Sequence, residues 1–312
     1  MKCVVTGCAG FIGSHLAERL LADGHEVVGL DCFTDYYTRS IKEANLSGAK
    51  AHKHFRFHEL DLADGVPSEV VAGAEYVFHL AAMPGLTRSW IDFDIYNRCN
   101  LTATHRLLEA LKGVPTLKKF VYASTSSVYG KYASGDESLP TRPSSPYGIT
   151  KLAGEQLARV YQDEFGIPAV VLRFFSVYGP RQRPEMGLHL FIKWVLTGQP
   201  IKLTGDGFQV RGATYIGDCI EATVQAGLRA MPGETYNLGG GDLATIIDLI
   251  RKIEKLAGKP ATIEYHPNRK GDQLATGADV TKLFRHLGWK PTTGYDEGLA
   301  RQIAWQRELI QS

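Results

Sequence analysis

The chain reads as an α/β protein built on a doubly wound parallel sheet, with a smaller α/β unit toward the C-terminus. Three observations predict this. Short apolar runs alternate with longer amphipathic stretches through the first half, the pattern of strands joined by covering helices. A glycine-rich loop, Thr6-Gly7-Cys8-Ala9-Gly10-Phe11-Ile12-Gly13, stands between the first such run and the first such stretch. The rhythm then breaks after Ser176, and a length of 312 residues suits about two compact units.

In order, Lys2–Thr6 reads as a buried strand, Phe11–Asp23 as a helix and Glu26–Asp31 as a second strand. Phe55–Glu59 and Tyr76–Leu80 are further strands, the latter followed by a turn at Pro84-Gly85. A helix from about Ile95 to Lys112 carries Leu101, Leu107, Leu108 and Leu111 at helical spacing. Lys119–Ala123 is the next strand, Tyr147–Phe165 the next helix and Ala169–Phe174 another strand. Gly179-Pro180-Arg181-Gln182-Arg183-Pro184 is rich in turn formers and charge and opens a region of shorter elements. Within it, Ala213–Ala230 and the strand Glu234–Leu238 return to the first unit. The division expected is therefore 1–175 with 213–238, against 176–212 with 239–312. The last helix, Tyr295–Gln311, places Leu299, Ile303, Trp305 and Ile310 to cap the smaller unit.

Composition narrows the function. Thirty-five basic against thirty-three acidic residues leave a formal charge of +2, with 44% hydrophobic and 22% charged residues. That is ordinary for a soluble globular protein and provides no global footprint for nucleic acid. No apolar run approaches the ~18 residues that span a bilayer, and the apolar start breaks at Thr6-Gly7, so neither membrane nor secretory leader is expected. Five scattered cysteines read as reduced thiols of a cytoplasmic protein. His52, His54 and His58 form no ligand triad, so no metal is expected, and Lys50–His58 reads as a solvated loop. The 33 glycines exceed the usual share of about 7%, which asks where backbone turns sharply or approaches something closely.

One answer is the glycine loop. Gly7 and Gly10 allow a tight turn and backbone approach to a pyrophosphate, and Gly13 lets the helix pack against the strand. The helix start, with Phe11 and Ile12, offers unpaired N–H groups to the phosphates. Asp31, ending the second strand, can accept both ribose hydroxyls of an adenosine, and its charge repels a 2′-phosphate, which favours NAD over NADP. Three glycines alone can also be no more than a tight turn. Tyr147 and Lys151 lie one helical turn apart on a shared face after the helix start Ser144-Ser145-Pro146. A phenol with a pKa near 10 is a poor base at neutral pH, but a nearby ammonium favours phenolate. The hydroxyl cluster Ser124-Thr125-Ser126-Ser127 ends the fifth strand, where open parallel sheets bind ligands.

Together these residues resemble an extended short-chain dehydrogenase/reductase of the NAD-dependent sugar-nucleotide epimerase/dehydratase family. The resemblance runs end to end, through Thr6–Gly13, Asp61-Leu62, His79-Leu80-Ala81-Ala82, Ser126-Ser127-Val128-Tyr129-Gly130, Tyr147–Lys151 and Arg173-Phe174-Phe175-Ser176-Val177-Tyr178-Gly179-Pro180. It implies a Rossmann-type fold. It also implies that Asp61 and Leu62 neighbour adenine and that Leu80, Ala81 and Ala82 line the cofactor. Tyr147 would be the base, Lys151 would hold the nicotinamide ribose, and Thr125 would take the catalytic Ser/Thr position.

Within that family the 4,6-dehydratases place Asp-Glu after the Thr, and UDP-glucuronate decarboxylases place Thr-Ser-Glu before Val-Tyr-Gly. Here Ser126-Ser127 follows Thr125 and Leu152 follows Lys151, so both reactions are disfavoured. 4-Epimerisation remains. Thr125, Ser126, Ser127 and Ser176 can donate to a substrate carboxylate without adding repulsive charge, and Arg183 and Arg88 can supply positive charge. The nearest resemblance is to UDP-glucuronate 4-epimerases, which implies transient oxidation at C4, rotation of the 4-keto sugar and hydride return. Arg211 resembles a diphosphate-binding Arg and Asp272 an acid on the uridine ribose. Gly212-Ala213 and Met83-Pro84 depart from the family pattern near the sugar. UDP-glucose or UDP-N-acetylglucosamine epimerisation, decarboxylation, a non-catalytic NAD sensor and a cofactor-consuming reductase stay open. The resemblance also implies a homodimer through helices near 95–112 and 147–165.

Overall fold

The first apolar run becomes the middle of the sheet. In the computed structural model, which describes residues 1–267 and 275–311, the chain runs β1 (Lys2–Thr6), α1 (Phe11–Ala22), β2 (Glu26–Asp31), α2 (Arg39–Lys50), β3 (Phe55–Glu59), α3 (Ser68–Val71) and β4 (Tyr76–His79). It continues through α4 (Phe93–Tyr96), a π-helical stretch (Asn97–Thr102), α5 (Ala103–Leu111), β5 (Lys119–Thr125), β6 (Tyr132–Gly135), α6 (Pro146–Phe165) and β7 (Ala169–Phe174). Then come β8 (Ser176–Tyr178), α7 (Gly187–Thr197), β9 (Ile201–Thr204), β10 (Val210–Tyr215), α8 (Ile216–Arg229) and β11 (Thr235–Leu238). The remainder is β12 (Leu243–Thr245), α9 (Ile246–Ala257), β13 (Ile263–His266), β14 (Ala275–Ala278), α10 (Thr281–Leu287) and α11 (Tyr295–Gln311).

Seven strands form one parallel sheet in the order β11-β7-β5-β4-β1-β2-β3. Side chains alternate across it as the pleat requires. Cys3, Val5, Phe78 and Val121 join a core with Leu16 and Leu20 of α1 and Ile220 and Val224 of α8. Val4, Val77, Phe120 and Tyr122 face the other way, onto Leu107 and Leu108 of α5 and Ala158 of α6. Burial on both faces explains why the strands read as unbroken apolar runs. α8 packs on the α1 face of this sheet and β11 adds its edge strand beside β7, whereas residues 213–215 belong to β10. β12, β10, β14 and β6 form a second sheet, with β8 paired to β10, and β13 with β9 a third.

Local chemistry sets several boundaries. Ser145 caps α6, its Oγ accepting from Gly148 N at 3.1 Å, and Pro146 follows at the first turn, where its missing N–H costs nothing. β5 extends two residues beyond the predicted Ala123, so Ser124 and Thr125 are strand residues. The helix expected over 95–112 is interrupted by the π-helical stretch. There Asn100 is buried and its amide grips the turn after β4, accepting from Met83 N at 2.7 Å and donating to Met83 O at 3.1 Å. Such π segments cluster at functional sites. The sequence pattern does not predict α2, because its buried face is only Lys42, Asn45, Leu46 and Ala49.

A buried ion pair joins α6 to the sheet. Glu155 has no exposed side-chain surface and accepts from Arg173 Nη2 at 2.8 Å and Nε at 3.1 Å. Ser124 of β5 also donates to Glu155, and Arg173 Nη1 reaches the Tyr129 hydroxyl at 2.9 Å. Removing one partner strands a buried charge, which typically costs about 3–5 kcal/mol. Glu155→Ala should therefore lower stability by that order in urea titration, and Glu155→Met with Arg173→Met should recover a large part of it.

Candidate active site

The glycine loop is held by its own backbone. Gly7 turns with φ +69°, and a Cβ there would lie 2.8 Å from Ala81 N, while a Cβ on Gly13 would strike the Gly7 carbonyl oxygen. Behind this contact runs a directed hydrogen-bond chain. Ala81 N donates to Thr6 Oγ1 at 3.0 Å, and the Thr6 hydroxyl donates onward to His79 Nδ1 at 2.8 Å, a direction set at the far end, where the Thr104 hydroxyl is committed to a carbonyl and must accept from the ring. His79 Nε2 then donates to Thr104 Oγ1 at 2.9 Å, and Thr104 to Asn100 O at 2.7 Å. Burial pushes the His79 pKa down to about 3, so the ring stays neutral and the chain keeps its direction.

Asp31 closes the loop from the β2 side. Its Oδ2 accepts from Ala9 N at 3.0 Å and its Oδ1 from Phe33 N at 2.8 Å, and burial raises its pKa. Asn45 of α2 donates to Ala9 O at 3.1 Å. Lys42, also from α2, reaches Thr34 O at 2.5 Å and lies over the Tyr37 ring. Sequence reasoning did not place Lys42 or Asn45 against this loop because it missed their helix. Asp61 caps the turn after β3, accepting from Ala63 N at 2.9 Å, and pairs with Arg98 at the same distance.

On the other side of β1, α6 faces the end of β5. Lys151 is buried, its ammonium 4.4 Å from the centre of the Tyr122 ring, and burial pushes its pKa down to about 7 against the pull of Glu155. Tyr147 is half-buried. Burial raises its pKa, while the facing Thr125 hydroxyl and the Arg183 charge lower it. Arg183 thus adds a positive charge near the phenol that local spacing did not reveal. Thr125 Oγ1 accepts from Ser127 N at 3.1 Å, which folds the hydroxyl row into a turn.

These groups share one cleft of about 380 Å³ along the carboxyl ends of the strands. Gly7, Gly10, Phe11, Ile12, Gly13, Asp31, Asp61, Leu62, Leu80, Ala81 and Ala82 line one part of it. Thr125, Ser126, Ser127, Tyr147, Lys151, Ser176 and Arg183 line the remainder. Arg88 is not among the residues lining the cleft and donates instead to Asp35 O at 3.1 Å and to Asp92 at 3.4 Å. Arg211 stands outside this lining on β10 and donates to Val210 O at 3.2 Å. Asp272 lies outside the described residues. Among the described residues no group of three or more His, Cys, Asp or Glu could hold a metal ion, and no helix is long and apolar enough to cross a membrane.

Arg183 arrives on a tightly anchored turn. Gln302 of α11 accepts from Gly179 N at 3.0 Å and donates to Gln182 Oε1 at 2.8 Å. His15 of α1 donates to Pro180 O at 3.0 Å, and Arg181, at φ +65°, reaches Ser14 at 3.3 Å and Glu18 at 2.9 Å. The cleft suits a dinucleotide. No side chain caps α1, its first turn has no acid, and Cβ atoms at Gly7 or Gly13 would obstruct the close backbone approach that a pyrophosphate cradle needs.

A doubly wound sheet with a glycine cradle, a terminal Asp and a Tyr/Lys helix defines a dinucleotide-dependent enzyme of the short-chain type. The chain belongs to the NAD dependent epimerase/dehydratase family, whose model matches residues 3–239. A crystal structure of UDP-glucuronic acid 4-epimerase from Bacillus cereus, in complex with UDP-glucuronic acid and NAD, superimposes with a TM-score of 0.95 at 42% identity, covering 99% of this chain and 100% of that one. A UDP-glucuronate 4-epimerase of Thermodesulfobacterium geofontis is 38% identical over 99% of this chain and 97% of its own length. An uncharacterized UDP-glucose epimerase of Bacillus subtilis is 43% identical over 100% and 99%.

The depressed Lys151 pKa has a thermodynamic consequence. The unfolded chain, with Lys151 near its ordinary 10.5, binds more protons than the folded one between about pH 7 and 10.5. Folding stability of the cofactor-free protein should therefore gain a rising contribution across that window. Urea titrations at pH 7.5 and 9.5 should show the rise in the wild type and its loss in Lys151→Met.

Proposed function

We propose that this chain is an NAD-dependent UDP-sugar 4-epimerase, an isomerase that interconverts UDP-glucuronate and UDP-galacturonate. The observation that carries the reading is the chemistry of the sugar end of the cleft. Among the described residues lining the cleft the acids are Asp31 and Asp61, both on the β2–β3 side. The polar groups that line the cleft with Tyr147 and Lys151 away from those acids include the hydroxyls of Thr125, Ser126, Ser127 and Ser176 and the Arg183 guanidinium. Among the described residues lining that end of the cleft there is no carboxylate for proton transfer in dehydration.

Gly7, Gly10, Phe11, Ile12 and Gly13 take the pyrophosphate, Asp31 the adenosine ribose, Asp61 and Leu62 the adenine, and Leu80, Ala81 and Ala82 the cofactor's remaining face. Bound there, NAD supplies reversible oxidation at the sugar C4. Tyr147 holds and returns the C4 hydroxyl proton, Thr125 fixes that hydroxyl by hydrogen bonding, and Lys151 binds the nicotinamide ribose. Thr125, Ser126, Ser127, Ser176 and Arg183 hold the C6 carboxylate, with Arg88 behind the cleft mouth. Fixing the carboxylate keeps its C–C bond out of alignment with the C4 ketone, so carbon dioxide is retained. Arg211 and Asp272 are assigned to the UDP half. Residues 1–175 with 213–238 form the cofactor unit, and 176–212 with 239–312 the substrate unit.

The same reading makes the protein a cytoplasmic homodimer, in keeping with five free cysteines and with Ile149, Val160 and Phe165 exposed on α6. Sedimentation at micromolar concentration should show a dimer, and Val160→Glu with Phe165→Glu should yield a monomer; a monomeric wild type would refute the pairing.

Purified protein incubated separately with UDP-glucuronate and UDP-glucose should convert only the uronate, as followed by NMR. Turnover of only the neutral sugar would replace the uronate assignment with UDP-glucose 4-epimerisation. Tyr147→Phe should lower kcat by about 10²–10⁴-fold while NAD stays bound. Ser127→Glu should release carbon dioxide and a UDP-pentose, and its failure to do so would count against the carboxylate cradle.

A further inference from the structure

The turn that carries Arg183 holds an acid that the mechanism above does not use. Arg183 Nε donates to Glu185 Oε1 at 2.7 Å, while Nη1 and Nη2 have no hydrogen-bond partner among the described residues. A guanidinium offers a carboxylate two docking edges, the Nε side and the Nη1/Nη2 end. Here the side edge is filled and the end is not. Across the cleft mouth, Tyr36 also faces Glu185. The Tyr36 hydroxyl sits against Gly85, where a Cβ would collide with it. Tyr96 holds the same turn, donating to Pro84 O at 2.7 Å and Gly85 O at 2.9 Å, and the Arg88 guanidinium lies 5.7 Å from the Tyr36 ring centre.

We infer that Glu185 is a positioning residue for Arg183: it grips the Nε edge, with Tyr36 facing the same carboxylate from the opposite lip, and presents the Nη1/Nη2 end to the carboxylate of a uronate sugar. The inference rests on the UDP-glucuronate reading and deepens it. Long arginine side chains lose considerable rotamer freedom when they bind, and Glu185 removes part of that freedom in advance. The backbone of the turn is already fixed through Gln302, His15 and Arg181, so the side chain is the remaining freedom. Because the Glu185 side chain is 41% exposed, its pair with Arg183 contributes little to folding.

Two roles for an acid beside a substrate-binding arginine predict opposite signs. A competitor for the substrate carboxylate would weaken binding, and its removal would lower KM. A positioning acid strengthens binding, and its removal raises KM. The experiment compares holoenzymes of the wild type, Glu185→Ala, Glu185→Gln and Tyr36→Phe, with UDP-glucuronate turnover followed by NMR and UDP affinity by calorimetry. Glu185→Ala should raise KM for UDP-glucuronate about tenfold and leave kcat within about twofold. Glu185→Gln keeps an acceptor for Nε without the charge and should stay within about threefold of the wild type. Tyr36→Phe should fall between them, with UDP affinity and Tm unchanged in all. A KM that is unchanged or lower in Glu185→Ala overturns the inference, as does a joint loss of kcat and UDP affinity that Glu185→Gln does not rescue. A wild type inert on UDP-glucuronate sinks the substrate reading and this inference with it. An active wild type with an unaffected Glu185→Ala sinks the inference alone.

Discussion

Glu155 sits where α6, β5 and β7 meet, and no part of its side chain reaches solvent. An unpaired carboxylate there would cost several kcal/mol, so the surrounding groups must converge on it. Arg173 comes from β7 and Ser124 from β5. Meeting that requirement fixes the rotation and height of α6 against the sheet. Lys151 and Tyr147 lie one and two turns upstream on the same helix, so their positions against the hydroxyl row follow from it. Glu155 also partly offsets the desolvation of Lys151. The pair extends through Tyr129 to Asn237 of β11, tying the last strand of the sheet to the same clamp.

The cofactor end is governed by contact between main chains. Gly7 and Gly13 bring the loop, the start of α1 and the exit of β4 within van der Waals range, and the Thr6–His79–Thr104–Asn100 chain satisfies the polar groups that this close approach buries. Chemistry at the two ends is therefore set by opposite means. At one end, removal of side chains exposes backbone to an anion. At the other, neutral hydroxyls and a restrained cation surround a phenol. A ligand with several negative charges can be met this way by a chain whose formal charge is only +2, because each charge is answered locally.

The turn from Gly179 to Met186 connects these ends. It rests on α1 through His15, Ser14 and Glu18, and on α11 through Gln302. Arg181 adopts a left-handed conformation, which costs a non-glycine residue on the order of 1 kcal/mol and places its guanidinium on α1. The next arginine in the run, Arg183, then faces the cleft. One short charged segment thus registers α1 against the part of the cleft that Tyr147 and Arg183 line.

The sequence by itself determined the parallel sheet, the glycine loop with Asp31, the Tyr147/Lys151 pair and the family, because each is encoded locally. Strand burial on both faces leaves apolar runs, a phosphate cradle needs glycines at short spacing, and one helical turn brings residues four apart together. It did not reveal α2, whose buried face includes Lys42 and Asn45 and so leaves no apolar stripe, nor the π-helical stretch that lets Asn100 hold the Met83 turn. Nor did it show that burial pushes the Lys151 pKa down to about 7, or that folding brings the Arg183 charge to bear on Tyr147. Which of several arginines enters the cleft, and which acid grips it, was decided only by the tertiary structure. The physical reason is that desolvation and long-range pairing depend on what other segments bring to a residue, and local spacing carries no record of that.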